Sequence, residues 1–181
     1  MEYEQRIVLK NGEEALIRNG TASDGPAVYE VFCLTHAETD YLLTYPDENR
    51  LDPAQEARFL EEKTESPNET ELIAVVDGTV VGSAGIEAVG KQYKVRHRAE
   101  FGISVRKAFW GLGLGRALTQ ACIQCAKKAG YEQLELNVVA GNHRALSLYR
   151  SLGFVEYGRN PRGFNSKISG YQEVVSMLLA L

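Results

Sequence analysis

Residues 110–130 read Trp-Gly-Leu-Gly-Leu-Gly-Arg-Ala-Leu-Thr-Gln-Ala-Cys-Ile-Gln-Cys-Ala-Lys-Lys-Ala-Gly. Gly111, Gly113 and Gly115 alternate with Leu112 and Leu114 and lead straight into a helical pattern. Leu114, Ala117, Leu118, Ala121, Cys122, Cys125 and Ala129 recur at spacings of three and four, which lays them on one apolar face. Gly130 stands where a left-handed residue ends a helix. Glycines reach backbone conformations closed to other residues and let a ligand approach the main chain. The helix behind them starts with unpaired N–H groups and the positive end of its dipole. Together these make an anion site suited to a pyrophosphate, and Arg116 adds a cation in the first turn. Taken alone, the loop reads either as that site or as a glycine-rich strand-to-helix turn without a ligand.

Two rival phosphate motifs fail on this stretch. A Walker loop ends in Gly-Lys-Ser/Thr, and here the sequence is Gly115-Arg116-Ala117. A dinucleotide fingerprint would need glycine at 111, 113 and 116, and position 116 is arginine.

Upstream of the loop the pattern changes to period two. In Val95–Val105, Ala99, Phe101, Ile103 and Val105 share one face, and Arg98, Glu100, Gly102 and Ser104 share the other. Leu72–Val76 and Val80–Ala88 flank Asp77-Gly78, the strongest two-residue hairpin signal in the chain. The three segments predict an antiparallel meander. Earlier still, Glu14–Arg18 reads as a first strand. Thr21, Ser23 and Asp24 offer cap oxygens for a helix running to about Ala37. Asp52-Pro53 opens a second, acidic helix to about Glu65 that would bury mainly Ala57, Phe59 and Leu60. Between these helices, Tyr41–Asp52 reads as a loop.

Downstream, Leu134–Val139 is a strand, and its place after a strand and a helix predicts a parallel crossover. Asn142 caps a helix carrying Ala145, Leu146, Tyr149 and Leu152 on one stripe, and Gly153 stops it. Tyr149 lies two turns below Asn142 on the same face. By itself it reads first as a core aromatic whose hydroxyl finds a partner. Phe154–Tyr157 and Tyr171–Leu179 are the last strands, with a loop predicted over Pro161–Gly170 between them.

The chain has 181 residues, 44% of them hydrophobic and 24% charged, which suits one domain, residues 1–181, with a sizeable core. A net charge of −4 gives no basic field for a nucleic acid backbone. No apolar run is long enough to cross a membrane. The three cysteines are an odd number, so a disulfide framework is not expected and a cytoplasmic protein is. Cys122 and Cys125 lie on the apolar stripe with no second pair at zinc spacing, so no metal is expected and both read as core.

Trp110-Gly-Leu-Gly-Leu-Gly115 resembles the Gln/Arg-x-x-Gly-x-Gly/Ala loop of the GNAT superfamily of N-acetyltransferases, with Trp110 at the Gln/Arg position. Asn142-x-x-Ala145-x-x-Leu148-Tyr149, followed by Gly153-Phe154, is similar to the second coenzyme-binding segment of that family. The tail Gly170-Tyr171-Gln172-Glu173 with Met177 resembles a group near the ribosomal-protein and small-amine acetyltransferases, with Gln172 departing from its usual acid.

The resemblance implies an α/β (α+β) acyl-CoA N-acyltransferase fold: a mixed, mostly antiparallel sheet of about seven strands flanked by helices. It implies acetyl-CoA as co-substrate, an amine acceptor (small molecule or peptide), and it allows a homodimer. The cofactor would be held by Ile103, Ser104 and Val105, by Trp110 through Arg116 (Gly111, Leu112, Gly113, Leu114 and Gly115 between them), and by Asn137, Asn142, Ala145 and Tyr149. Tyr149 would give a proton to the departing thiolate; a tyrosine near pKa ~10 and a thiol near ~8.5 are close to balance. Glu100, on the polar face of its strand, is the expected general base, acting through water, although it also reads as a surface charge paired with Arg98 or Lys94. Glu38, Asp40 and Tyr41 are expected at the acceptor pocket, together with the loops Tyr41–Asp52 and Pro161–Gly170. His36 and His143 are weaker candidate bases. A binding module that senses acyl-CoA without catalysis would keep the loop and Asn142 and need no base.

Overall fold

The computed structural model describes residues 1–48 and 51–181. Positions 49 and 50 of the expected Tyr41–Asp52 loop therefore lie outside the described residues.

The meander forms as its pattern predicts. β3 (Thr70–Val76), β4 (Thr79–Ala88) and β5 (Arg98–Val105) pair antiparallel in sequence order. Asp77 and Gly78 join the first two with φ of 46° and 73°. Both central residues are left-handed, the turn whose twist matches that of the strands. Ahead of it stand β2 (Glu14–Asn19), paired to β3, and β1 (Glu4–Val8), paired to β2.

The strand β1 was not anticipated. Its sequence, Glu-Gln-Arg-Ile-Val, is almost wholly exposed and carries no alternation. It is an edge strand held by main-chain pairing to β2.

α1 (Gly25–Glu38) follows β2, and α2 (Pro53–Glu65) precedes β3. Asp24 precedes α1, but its carboxylate takes two hydrogen bonds from Arg18, at 2.7 and 2.8 Å, and one from the Thr21 N–H. Those bonds, led by Arg18, lower its pKa to about 2. Asp52 caps α2 by accepting from the N–H groups of Ala54 and Gln55, and Gln55 returns a bond to the Asp52 N–H. Leu60 is fully buried, as expected, while Ala57 and Phe59 are only half-buried. Glu56 and Lys63 are buried beside Leu60, and the Lys63 ammonium bridges Glu69 and Glu87 at 2.8 Å each.

α3 (Leu114–Lys128) leads to β6 (Gln133–Val139), which pairs parallel to β5. α4 (His143–Ser151) then connects to β7 (Val155–Ser166) and β8 (Gly170–Ala180). The order across the single sheet is β1-β2-β3-β4-β5-β6-β8-β7. It is antiparallel everywhere except at β5–β6.

The expected loop over Pro161–Gly170 is instead mostly strand. β7 runs to Ser166, and only a turn at residues 167–169 separates it from β8. Its register shifts between Asn160 and Phe164. Pro161, which has no N–H to give a ladder, falls in that irregularity on an edge strand.

Alternation on β3 sorts the core into two layers. Leu72, Ala74 and Val76 face the cluster that includes Leu118, Ala121 and Cys122 of α3 and Leu146 and Tyr149 of α4. Ile73 faces the other way, against Val28 and Val31 of α1 and Leu60 of α2. Cys122 and Cys125 are buried in the first layer, and all three cysteines are free thiols. Leu114 and Leu118 are wholly buried, each stabilising the fold by about 1.5–3 kcal/mol.

Candidate active site

The sheet is built with a gap. β5 and β6 pair only over Arg98–Glu100 and Gln133–Glu135. An ion pair between Arg98 and Glu135 (Nη2 to Oε2, 2.8 Å) pins them there. Its hydrogen bonds lower the Glu135 pKa. Beyond Glu100 the strands separate. Ile103 and Val105 keep their partners on β4, and the polar groups of that segment aimed toward β6 meet no strand.

A cavity of about 500 Å³ opens at this gap. Ile103, Ser104 and Val105 line it, with Trp110, Gly111, Gly113, Gly115 and Arg116 on one side and Asn142, Ala145 and Tyr149 on another. Eleven residues chosen from sequence thus converge on one space. Leu112 and Leu114 do not line it. Leu114 is wholly buried, and Leu112 packs against the same core while its carbonyl accepts from the Lys10 N–H at 3.0 Å. Asn137 also stands apart: its side-chain oxygen accepts from the Ser176 hydroxyl at 2.8 Å.

The loop has the backbone its glycines promised. Gly111 and Gly113 have φ of 81° and 98°, and Gly113 is the residue before the first turn of α3. No heavy atom lies within 4 Å of where a Cβ on Gly113 would stand. The loop is therefore open to a ligand. The Trp110 indole N–H donates to the Val105 carbonyl at 2.7 Å, tying the loop to the end of β5. The Arg144 guanidinium lies 5.5 Å over the Trp110 ring. Arg116 reaches the Ser151 hydroxyl at 2.7 Å.

Lys10 and Arg144 line the cavity and were not singled out from sequence. Lys10 is a hundred residues from the loop, and nothing local announces it. Arg144 lies inside the Asn142–Tyr149 segment, where its position on the first turn of α4 was the available signal.

Asn142 caps α4 as expected, accepting from the Ala145 N–H at 3.2 Å. Tyr149 is buried among aromatics: edge-on to Phe101 at 6.1 Å and tilted against Phe154 at 5.7 Å. Burial raises its pKa well above the ordinary tyrosine value, so its hydroxyl holds its proton.

A second cavity, about 370 Å³, adjoins the first and shares Leu42, Ile103 and Ser104 with it. Its walls carry Glu71, Glu87, Glu100 and His36, with Ser83, Gly85 and Gly102. Glu100 is exposed here, and its suspected partner Arg98 is committed to Glu135. His36 stacks on Phe32 at 3.7 Å, its Nδ1 2.8 Å from the Phe32 carbonyl. Burial lowers the His36 pKa. His143 lines the larger cavity.

Of the residues expected at the acceptor pocket, Tyr41 lines the larger cavity. Glu38 instead accepts from the Lys107 N–H at 2.6 Å. Asp40 takes bonds from Ser166, Ser169 and Gln172, and the Tyr45 hydroxyl accepts from the Lys167 N–H at 2.8 Å. The segment after α1 is thereby fastened to the β7–β8 hairpin.

An extended amide chain can lie in the strand gap, with its anionic end on the α3 N-terminus and its reactive end beside an acidic cavity. Such a site serves an enzyme that moves an acyl group from coenzyme A to a nucleophile. The chain belongs to the acetyltransferase (GNAT) family, whose model matches residues 32–154. It is an N-acetyltransferase that uses acetyl-CoA. Among its relatives, an L-amino acid N-acetyltransferase of Escherichia coli is 27% identical over 142 residues, 78% of this chain and 83% of that protein. The N-alpha-acetyltransferase RimI of Mycobacterium tuberculosis is 34% identical over 119 residues, 66% of this chain and 71% of the other. An acetyltransferase of the same family from Streptococcus pneumoniae superposes with a TM-score of 0.87, at 28% identity over 92% of this chain and 99% of that one. YncA from Salmonella typhimurium, solved with its cofactor acetyl-CoA, gives 0.81 at 22% identity over 92% and 94%.

Proposed function

We propose that the enzyme transfers acetyl directly to a primary amine, either a small molecule or a protein N-terminus, in a ternary complex without an acetyl-enzyme. The observation that carries this is the junction of the two cavities at Ile103 and Ser104. A module that only sensed acyl-CoA would need the first cavity and have no use for the second. Neither cavity is lined by a cysteine among the described residues, and Cys122 and Cys125 are sealed in the core. Direct attack is the route these walls support.

In this scheme the N–H groups at the start of α3, with Lys10, Arg116 and Arg144, hold the pyrophosphate and phosphate groups. The main chain of Ile103–Val105 pairs with the pantetheine amides as a strand would, and one N–H stabilises the carbonyl oxygen. The amine arrives as an ammonium and gives a proton to a carboxylate on the wall of the second cavity. Glu100, the candidate from sequence, stands there with Glu71 and Glu87. The neutral nitrogen bonds to the acetyl carbon, the carbon–sulfur bond breaks, and Tyr149 protonates the thiolate. The apolar surroundings that raise the Tyr149 pKa disfavour a thiolate as well, so the two stay near balance.

A net charge of −4 and three acidic side chains at the cavity favour a cationic acceptor over a nucleic acid. Three free thiols fit a cytoplasmic enzyme. β7, an edge strand exposing Val155 and Tyr157, is the surface on which a second copy would pair. Release of free CoA across a panel of amines tests the activity, and mass spectrometry of the protein during turnover tests the route. A trapped acetyl-enzyme would exclude direct attack.

A further inference from the structure

Glu71 was passed over in the sequence, where β3 read as starting at Leu72. In the structure it sits opposite Gly85 on β4, and Gly85 sits opposite Gly102 on β5. The row Glu71–Gly85–Gly102 is the floor of the second cavity. The Glu71 side chain leans across this floor: its Oε2 lies 2.0 Å from the point a Cβ on Gly85 would occupy. Any side chain at 85 would displace the carboxylate and also press on the Thr70 carbonyl, 2.9 Å from the same point. Over Gly102 there is open space, with no heavy atom within 4 Å of a Cβ position. Neighbouring strands stand about 4.8 Å apart, so a carboxylate lying over Gly85 is one strand away from that space. Gly102 immediately precedes Ile103 and Ser104, two of the residues both cavities share.

We propose that Glu71 is the base that removes the proton from the acceptor ammonium as it settles over Gly102, and that the exposed Glu100 serves as a charge at the entrance. The assignment rests on the acetyl-transfer function proposed above. The step balances. The ammonium loses one proton to the Glu71 carboxylate, which passes it to solvent after turnover. The nitrogen loses a second on forming the amide; Tyr149 gives one to the thiolate, and the nitrogen's second proton, relayed through water, restores Tyr149. One proton is released per acetyl transferred.

The surroundings of Glu71 suit it to this work near neutral pH. Burial raises its pKa, a hydrogen bond from Ser83 lowers it, and Glu56 and Glu87 raise it, to about 7 in all. Lys63 on α2 opposes them, but its ammonium is shared by Glu69 and Glu87. His36 on α1 and Glu100 on β5 face the same cavity, and the Cys122 thiol of α3, across the sheet, is kept protonated by burial. A base is most effective when its pKa lies near the working pH.

The test is the pH profile of kcat/KM for CoA release, with L-amino acids, 1,4-diaminobutane and a peptide beginning with alanine as acceptors. Acetyl-CoA affinity is measured alongside by Trp110 fluorescence, and folding by thermal melting. Wild type should show an acidic limb near pH 7. Glu71→Gln should lower kcat/KM by about 10²-fold or more and abolish the limb, with acetyl-CoA affinity unchanged. Gly85→Ala, which keeps the carboxylate but displaces it, should do the same in part. Glu100→Gln should raise KM for cationic acceptors and keep the limb. A Glu71→Gln enzyme that retains the limb, or a limb lost instead in Glu100→Gln or His36→Asn, overturns the assignment alone. A wild type that binds acetyl-CoA but releases no CoA with any acceptor overturns the acetyl-transfer function as well.

Discussion

Replacing Tyr149 by phenylalanine removes one oxygen and leaves the packing intact. The ring is fixed by Phe101 at 6.1 Å and Phe154 at 5.7 Å, contacts a phenylalanine keeps. Tyr149 lines the cavity, so loss of its hydroxyl should change stability by less than about 1 kcal/mol. A general acid contributes about 10²–10⁴ in rate. The lower figure is a loss of about 2.7 kcal/mol of transition-state stabilisation. In the proposed site acetyl-CoA is held by the α3 N-terminus and the β5 main chain, so its KM should hold. The assay is steady-state CoA release at saturating acetyl-CoA, with a melting curve on the same sample. A kcat within threefold of wild type would remove Tyr149 from the chemistry. A fall in kcat accompanied by an equal loss of cofactor affinity would mean that the hydroxyl positions the cofactor instead.

Three further outcomes follow from the geometry. Gly113→Ala forces an ordinary residue to φ of 98°, costing about 1–2 kcal/mol of stability, and puts a methyl where the pyrophosphate would lie; acetyl-CoA should bind several-fold more weakly by calorimetry. Lys10→Ala should weaken acetyl-CoA binding by about 1 kcal/mol at low salt and by less at high salt, and affinity independent of ionic strength would remove Lys10 from the phosphate site. Asp24 has a folded pKa of about 2 against 3.8, so it adds stability above pH 3.8 that is lost as pH falls through 2; with solvent screening the pair, denaturant midpoints should show Asp24→Asn losing about 1 kcal/mol at pH 7 and little at pH 2.

What could be read from the chain was what local chemistry writes into it. The glycine loop, the stripe of α3, the Asp77-Gly78 turn and the Asn142 cap each declare themselves within a few residues, and all four formed. β1 did not declare itself, because an exposed edge strand needs no alternation. Pro161 suggested a loop, since the sequence does not show that its missing donor falls at a register shift on the edge. Lys10 reaches the glycine loop and Glu71 reaches the floor of the second cavity through strand pairings that sequence distance conceals. Glu71 in particular looked like polar punctuation before an apolar run. Its meaning depends on two glycines, one on each of the next two strands.

The gap between β5 and β6 has a consequence for selectivity. It is a strand edge without a partner strand enclosed inside a sheet, a feature that at a sheet border would recruit any passing polypeptide. Here walls stand on both sides, so an entering chain must supply amides in strand register and carry almost no side chains. The pantetheine arm is two amides strung on methylenes, and in the proposed site it would pass. On that placement the sheet would filter by girth before any pocket reads chemistry, and a cofactor truncated at either amide should bind more weakly than the whole one.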